Sequence, residues 1–152
     1  MNTNMRCAAL ALALLMATAG HAATDVDRLR ALHEKVMRAH REGNVELLLE
    51  DEAATYVVAS RGEVTQPTLE ERRSLLGPYL AGTTFEEYSD AVEPIVSVSA
   101  DGTLGWVVVQ VRARGVQGGE KKPVAFVSAW IELYEKQKGR WYRTGNVSNF
   151  KP

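Results

Sequence analysis

The sequence predicts an α+β domain, with helices from the N-terminal half laid on one face of an antiparallel sheet. Three observations carry that expectation. Leu29, Leu32, Val36 and Ala39 follow one another at spacings of 3, 4 and 3, the period of a helix with one apolar stripe. Beyond Thr83 the period changes to two across five successive runs, the mark of strands with unlike faces. Asp101-Gly102, Gly118-Gly119 and Lys138-Gly139 punctuate those runs with the residue types that tight hairpins need. Helices first and a strand meander after them fit two packed layers.

The chain begins with a segment set apart from that domain. Residues 1–23 read as a secretory signal: Arg6 supplies a positive start, residues 7–17 are all apolar, and small residues follow at Ala19, Gly20, Ala22 and Ala23. A bilayer-spanning helix needs about 20 apolar residues, so this run is too short for a permanent anchor. Cleavage after Ala22 or Ala23 would also remove Cys7, the one cysteine, and leave a periplasmic or secreted domain over residues 24–152 without thiol chemistry.

The elements of the domain follow in order. Thr24 or Asp25 caps a first helix that ends at Gly43, where a left-handed residue terminates it. Asn44 caps a short second helix over residues 45–50. Residues 55–59, rich in β-branched and aromatic side chains, form a strand that ends at Arg61-Gly62. Thr68 and Glu71 form a capping box that opens a third helix, and Pro78 is expected to kink or end it. Strands are then expected over residues 84–89, 95–99, 104–114, 124–135 and 140–148.

The last hairpin can be read pair by pair. A type I turn at Gln137-Lys138, with Gly139 left-handed, would pair Lys136 with Arg140. Leu133 then faces Arg143, Ile131 faces Gly145, and Ala129 faces Val147 on a small aliphatic face suited to lie beneath the helices. The opposite face carries Tyr134 with Tyr142, Glu132 with Thr144, and Trp130 with Asn146. A shift of one residue would exchange the two faces.

With this order of elements, with Trp130-Ile131-Glu132-Leu133-Tyr134 followed by Gly139-Arg140-Trp141, and with the ending Gly145-Asn146-Val147-Ser148-Asn149, the chain resembles the NTF2-like superfamily, and within it the DUF4440/SnoaL-like group. The resemblance implies a cone: a curved antiparallel sheet wrapped around a pocket, with three helices on its concave face. It also implies frequent dimerisation through the outer sheet face, and roles ranging from isomerases and dehydratases to non-catalytic domains. The acid–tyrosine–acid set of the isomerases has no clear counterpart here. The His–Asp pairing of the dehydratases is no better placed, since beyond the leader the chain has only His33 and His40.

The net charge of −1, from 18 basic and 19 acidic residues, gives no electrostatic case for nucleic acid or an anionic membrane as partner. No phosphate loop, dinucleotide glycine motif, nucleophile elbow or zinc-protease helix is present, so no cofactor is expected. His33, Met37 and His40 look like a metal set, but residues 33 and 40 stand about 10 Å apart along the helix axis. Two imidazoles on one ion need their nitrogens within about 4 Å, so these are expected to be ordinary helix-surface histidines and no metal is expected.

Tyr56, Tyr79 and Arg143 are the candidate polar groups of a pocket, the guanidinium suiting a carboxylate or carbonyl ligand. Glu132, between Trp130 and Tyr134, is either a general base with a raised pKa or a rim residue of a dimer interface. The interface is the preferred reading for Trp130, Glu132, Tyr134 and Tyr142, because so much aromatic area seldom faces bare solvent. On the strand over residues 104–114, Trp106, Gln110 and Arg112 share one face and Val107, Val109 and Val111 the other. The pairs Arg72-Arg73 and Lys121-Lys122 are expected to be solvated surface. The resulting expectation is a homodimeric, exported domain that, without catalysis, binds a small, partly apolar ligand or serves as an interaction module. The alternative is an isomerase or dehydratase built on a pocket carboxylate and a tyrosine.

Overall fold

The computed structural model describes residues 23–151. The expected export signal lies, apart from Ala23, outside them. The elements run α1 (Asp25–Glu42), α2 (Val45–Leu49), β1 (Glu52–Ser60), β2 (Glu63–Thr65), α3 (Leu69–Gly82), β3 (Thr83–Asp90), β4 (Ile95–Val98), β5 (Leu104–Gln117), β6 (Lys122–Gln137) and β7 (Arg140–Lys151). This is the expected order with one addition, the three-residue β2 that follows the turn at Arg61-Gly62.

Local chemistry sets the helix ends. The Thr24 hydroxyl accepts from the Asp27 amide while the Asp27 carboxylate accepts from the Thr24 amide, and Gly43 ends α1 at φ 64°. Thr68 and Glu71 repeat the reciprocal cap at α3. Each such cap stabilises its helix by about 1 kcal/mol. Pro78, expected to kink or end α3, stays inside a helix that runs on to Gly82. The missing donor would have bonded the Ser74 carbonyl, and both residues are exposed, so the lost bond lies on the solvent side where water can replace it.

The seven strands form one sheet in the order β2-β1-β7-β6-β5-β3, with β4 also paired to β5. Every pairing is antiparallel except that of β1 with β7, so the sheet is mixed. No hairpin joins β1 to β7, so nothing local forces them to run in opposite directions. Register breaks between Glu52 and Val57, between Phe85 and Glu87, and between Leu133 and Tyr134 mark irregularities of the kind that bend a sheet.

Helix α1 buries its stripe against one face of that sheet. Leu29 and Met37 join Val107, Val109, Val111 and Ala113 of β5, Tyr134 of β6 and Trp141 of β7 in the main core. A second cluster of Val36, Ala39, Leu48 and Leu80 ties α1, α2 and α3 together. Val107, Val109 and Val111 of β5 lie inward and Trp106 outward, as the alternation on that strand implied.

The register of the β6–β7 hairpin differs from the expected one. Lys138 and Gly139 both adopt positive φ, 51° and 83°, so the turn has two residues and Gln137 pairs with Arg140. Tyr134 therefore faces Arg143. A bulge at Thr144 then shifts the ladder again, and Leu133 faces Gly145, Glu132 faces Asn146 and Trp130 faces Ser148. The consequence is an exchange of faces. Trp130, Glu132 and Tyr134 point toward the helices together with Arg143, while Leu133 and Val147 are on the outside. The placement of Trp130, Glu132 and Tyr134 on an outer interface is thereby corrected. Tyr142, paired with Glu135, alone of that set remains on the outer face, where Arg140 lies over its ring.

Candidate functional site

Glu132 stands at the centre of the inward face and is 0% exposed. A buried carboxylate survives only if donors replace its water, and here three do. His33 Nδ1 lies 3.1 Å and Trp130 Nε1 3.0 Å from Oε1, and the Tyr134 hydroxyl donates to Oε2 at 2.7 Å. The far nitrogen of His33, Nε2, lies 3.0 Å from Asp90 Oδ1. An imidazole with a carboxylate at each nitrogen is best satisfied as the cation, since both nitrogens then donate. Burial opposes that charge, but the hydrogen bond and charge of Glu132, then those of Asp90, outweigh it and raise the His33 pKa. Burial would likewise raise Glu132. His33 above all, with the Arg143 charge and the Tyr134 hydroxyl, instead pushes it down to about 2.

Arg143, on the same face, is buried too. Its Nη2 donates to Glu52 Oε1 at 2.6 Å and to the Leu48 carbonyl at 3.0 Å. Glu52 also takes a two-pronged contact from Arg72 of α3, at 2.6 and 2.7 Å, so one carboxylate holds two guanidiniums. Arg72 lies over the Tyr56 ring at 3.8 Å, and Arg143 stands 5.8 Å from the same centroid. Arg72 is thus a half-buried clamp between α3 and β1 rather than the solvated surface group expected of it. Its neighbour Arg73 pairs with Glu46 and Glu70 at the surface.

These groups surround a cavity of about 450 Å³ that opens between α3 and the sheet. Its walls are mostly apolar, from Val36, Leu48, Leu75, Leu76 and Phe126, and the volume falls in the range of small-molecule sites. Among the described residues, no fully enclosed side-chain nitrogen or oxygen lacks a partner. Polar groups without a protein partner therefore have open space beside them. Among the residues that line the cavity, Arg143 Nε and Nη1, the hydroxyls of Tyr56, Tyr79 and Tyr88, and His40 Nε2 have no protein hydrogen-bond partner. Burial raises the pKa of all three phenols, which stay protonated and able to donate.

Solved structures share this architecture. A ketosteroid isomerase-like protein from Erwinia carotovora atroseptica superposes with a TM-score of 0.68 at 11% identity, over 84% of this chain and 98% of its own. An NTF2-like protein from Cytophaga hutchinsonii gives 0.67 at 13% identity, over 85% and 100%. An NTF2-like protein of unknown function in nutrient uptake from Rhodospirillum rubrum gives 0.64 at 16% identity, over 82% and 98%. The fold is NTF2-like. No family model and no curated protein matches the sequence. At these identities the likeness extends to the fold alone, and the chemistry of the cavity has to be argued from its own residues.

Within the NTF2-like cone, Tyr56, Tyr79 and Arg143 line one cavity, and Trp130 and Glu132 line it with them. Tyr134 lies behind that wall, 2% exposed, with its hydroxyl on Glu132. The two histidines were expected on the helix surface, and the structure corrects this. His33 is 3% exposed between its carboxylates, and His40 stacks on Tyr88 with centroids 4.4 Å apart. The sequence did hold the signal. His33 and His40 each follow a residue of the apolar stripe, Leu29 and Val36, by four positions, which puts them on the buried side of α1. Glu52 and Asp90 carried no such signal, because each sits at a strand end whose partners come from distant parts of the chain.

Proposed function

We propose that this is an exported NTF2-like domain that binds a small, partly apolar molecule and seats its carboxylate or carbonyl end against Arg143 and Tyr56. The observation that carries the reading is the Arg143 guanidinium. It is buried and anchored through Nη2, its Nε and Nη1 have no protein hydrogen-bond partner, and its side chain lines a mostly apolar cavity. A desolvated guanidinium with unmade hydrogen bonds favours an anionic or strongly polarised oxygen. Export rests on the pattern of residues 1–23.

The isomerase alternative would need the buried carboxylate to take up a proton and a tyrosine to hold an oxyanion. Glu132 is poorly suited to the first task. Three donors already hold its charge, and its pKa is down at about 2. Tyr134 is spent on Glu132, and although Tyr56, Tyr79 and Tyr88 keep hydroxyls free to donate, Glu132 is no base for them to work with.

Native mass spectrometry of the protein recovered from its own host tests the reading. A co-purifying small acid is expected, with the chain starting at Ala23 or Thr24. Titration with 3-phenylpropionate supplies the second arm. Arg143→Met is expected to weaken its binding at least about tenfold, the loss of a charge-assisted contact. A mutant that binds as tightly as the wild type would overturn the role of Arg143. A protein that carries nothing and binds no small acid would overturn binding.

A further inference from the structure

His40 is the polar group of the cavity with the narrowest chemical tolerance. Its Nδ1 lies 2.8 Å from the Val36 carbonyl, and a carbonyl only accepts, so Nδ1 carries the proton. The lone pair is then on Nε2, which no protein donor reaches. Stacking on Tyr88 at an interplanar angle of 7°, with Phe85 tilted against the ring at 6.5 Å, fixes the imidazole plane. Burial, reinforced by the Arg143 charge, holds His40 neutral, with its pKa down to about 4. The hydroxyls of Tyr56, Tyr79 and Tyr88 can donate or accept and so tolerate many ligands. Nε2 of a neutral, Nδ1-protonated histidine can only accept.

We infer that His40 is a specificity-determining residue of this cavity, its Nε2 accepting a hydrogen bond from a hydroxyl on the same molecule whose carboxylate Arg143 holds. The ligand class is a small hydroxylated carboxylic acid. The inference rests on the binding reading above and narrows it. A molecule that fills the apolar cavity without a donor strips water from Nε2 and gives nothing back, whereas a hydroxyl restores the bond. Discrimination by a buried polar group works in this sense, through the penalty on the analogue that leaves it unpaired.

The experiment is calorimetric titration of the full domain with 3-phenylpropionate and with its 2-, 3- and 4-hydroxyphenyl isomers, whose size suits the cavity. At least one isomer is expected to bind about tenfold more tightly than the parent acid. His40→Phe, which keeps a ring on Tyr88 and removes the acceptor, is expected to abolish that advantage by binding the parent more tightly than the wild type does, since no Nε2 is left to desolvate. His40→Gln, which restores an acceptor, is expected to recover part of it. An advantage that survives in His40→Phe, or no advantage for any isomer while the parent binds, overturns the inference and leaves the binding reading intact. Absence of binding by all four acids removes that reading and the inference with it. Should His40→Phe fail to fold, the nitrogen spectrum of histidine-labelled wild type decides. The Nε2 resonance of His40 is expected at a hydrogen-bonded position with the preferred isomer bound and at the position of an unbonded acceptor with the parent bound. The same resonance position with both acids bound overturns the inference.

Discussion

The bond network around Glu132 makes stability depend on pH from both sides. His33 has a raised pKa in the folded protein, so its contribution is complete below the unfolded value of 6.5 and is lost as pH rises through the folded one. Glu132 has a folded pKa of about 2 against an ordinary 4.5, so its contribution is complete above 4.5 and is lost as pH falls toward 2. The two signs together place the greatest stability from this pair between those ordinary values. Urea unfolding across pH should show a midpoint that declines above pH 6.5, and His33→Gln should flatten that decline. A wild-type midpoint that stays level through the alkaline range would mean that His33 is not held as a cation. Removal of the carboxylate charge is the harsher change. In Glu132→Gln the donors of Trp130, Tyr134 and His33 converge on an amide with only one acceptor oxygen, and His33 keeps a buried charge with Asp90 alone. Breaking a buried pair in this way costs about 3 kcal/mol, read as a lower urea midpoint at pH 6.

Within the elements, what was legible in the sequence divides by how local its cause is. At the start of α1 the cap lay open between Thr24 and Asp25 and is made by Thr24 with Asp27. The end of α1 at Gly43 and the start of α3 at Thr68 and Glu71 depend on residues within four positions of the groups they satisfy and could be read directly. The faces of β6 and β7 could not. They depend on whether Gln137 belongs to the turn and on a bulge at Thr144, and neither has a local marker. One misplaced residue at the turn was enough to send Glu132 to the wrong side, and with it the reading of the site. Gly145, just beyond that bulge, has a structural demand of its own. A Cβ there would stand 2.6 Å from the Val57 carbonyl oxygen of β1, the parallel partner strand. Gly145→Ala must therefore push β1 away from β7 and is expected to destabilise by about 2 kcal/mol. Because β1 also carries Tyr56, the same change should weaken binding of 3-phenylpropionate. Unaltered thermal unfolding of Gly145→Ala would show that the two strands can separate there at no cost.

At the scale of the whole molecule, the exchange of faces moves the expected dimer surface without removing the reason for one. The outer face of the sheet exposes Trp106 at 39%, Leu133 at 37%, Val147 at 45% and Ile95 at 64%. The register sets them side by side. Trp106 pairs with Leu133, and Ile95, Val108, Ile131 and Val147 form a row across four strands. An apolar face of this kind is costly to leave in water, and the helices already cover the opposite one. We propose that a second copy of the chain covers it, as the NTF2-like resemblance led us to expect, with Trp106 and Leu133 near the centre in place of Trp130 and Glu132. A stable contact of about 800 Å² per partner is within reach of such a sheet face. Sedimentation of the leaderless protein at tens of micromolar should give a dimer, and Leu133→Asp should give a monomer. Since Leu133 points away from the cavity, that variant should still bind 3-phenylpropionate with near wild-type affinity. A wild-type monomer at this concentration would leave the apolar row without its proposed partner. Loss of both association and binding in Leu133→Asp would mean that the two faces of the sheet are not independent.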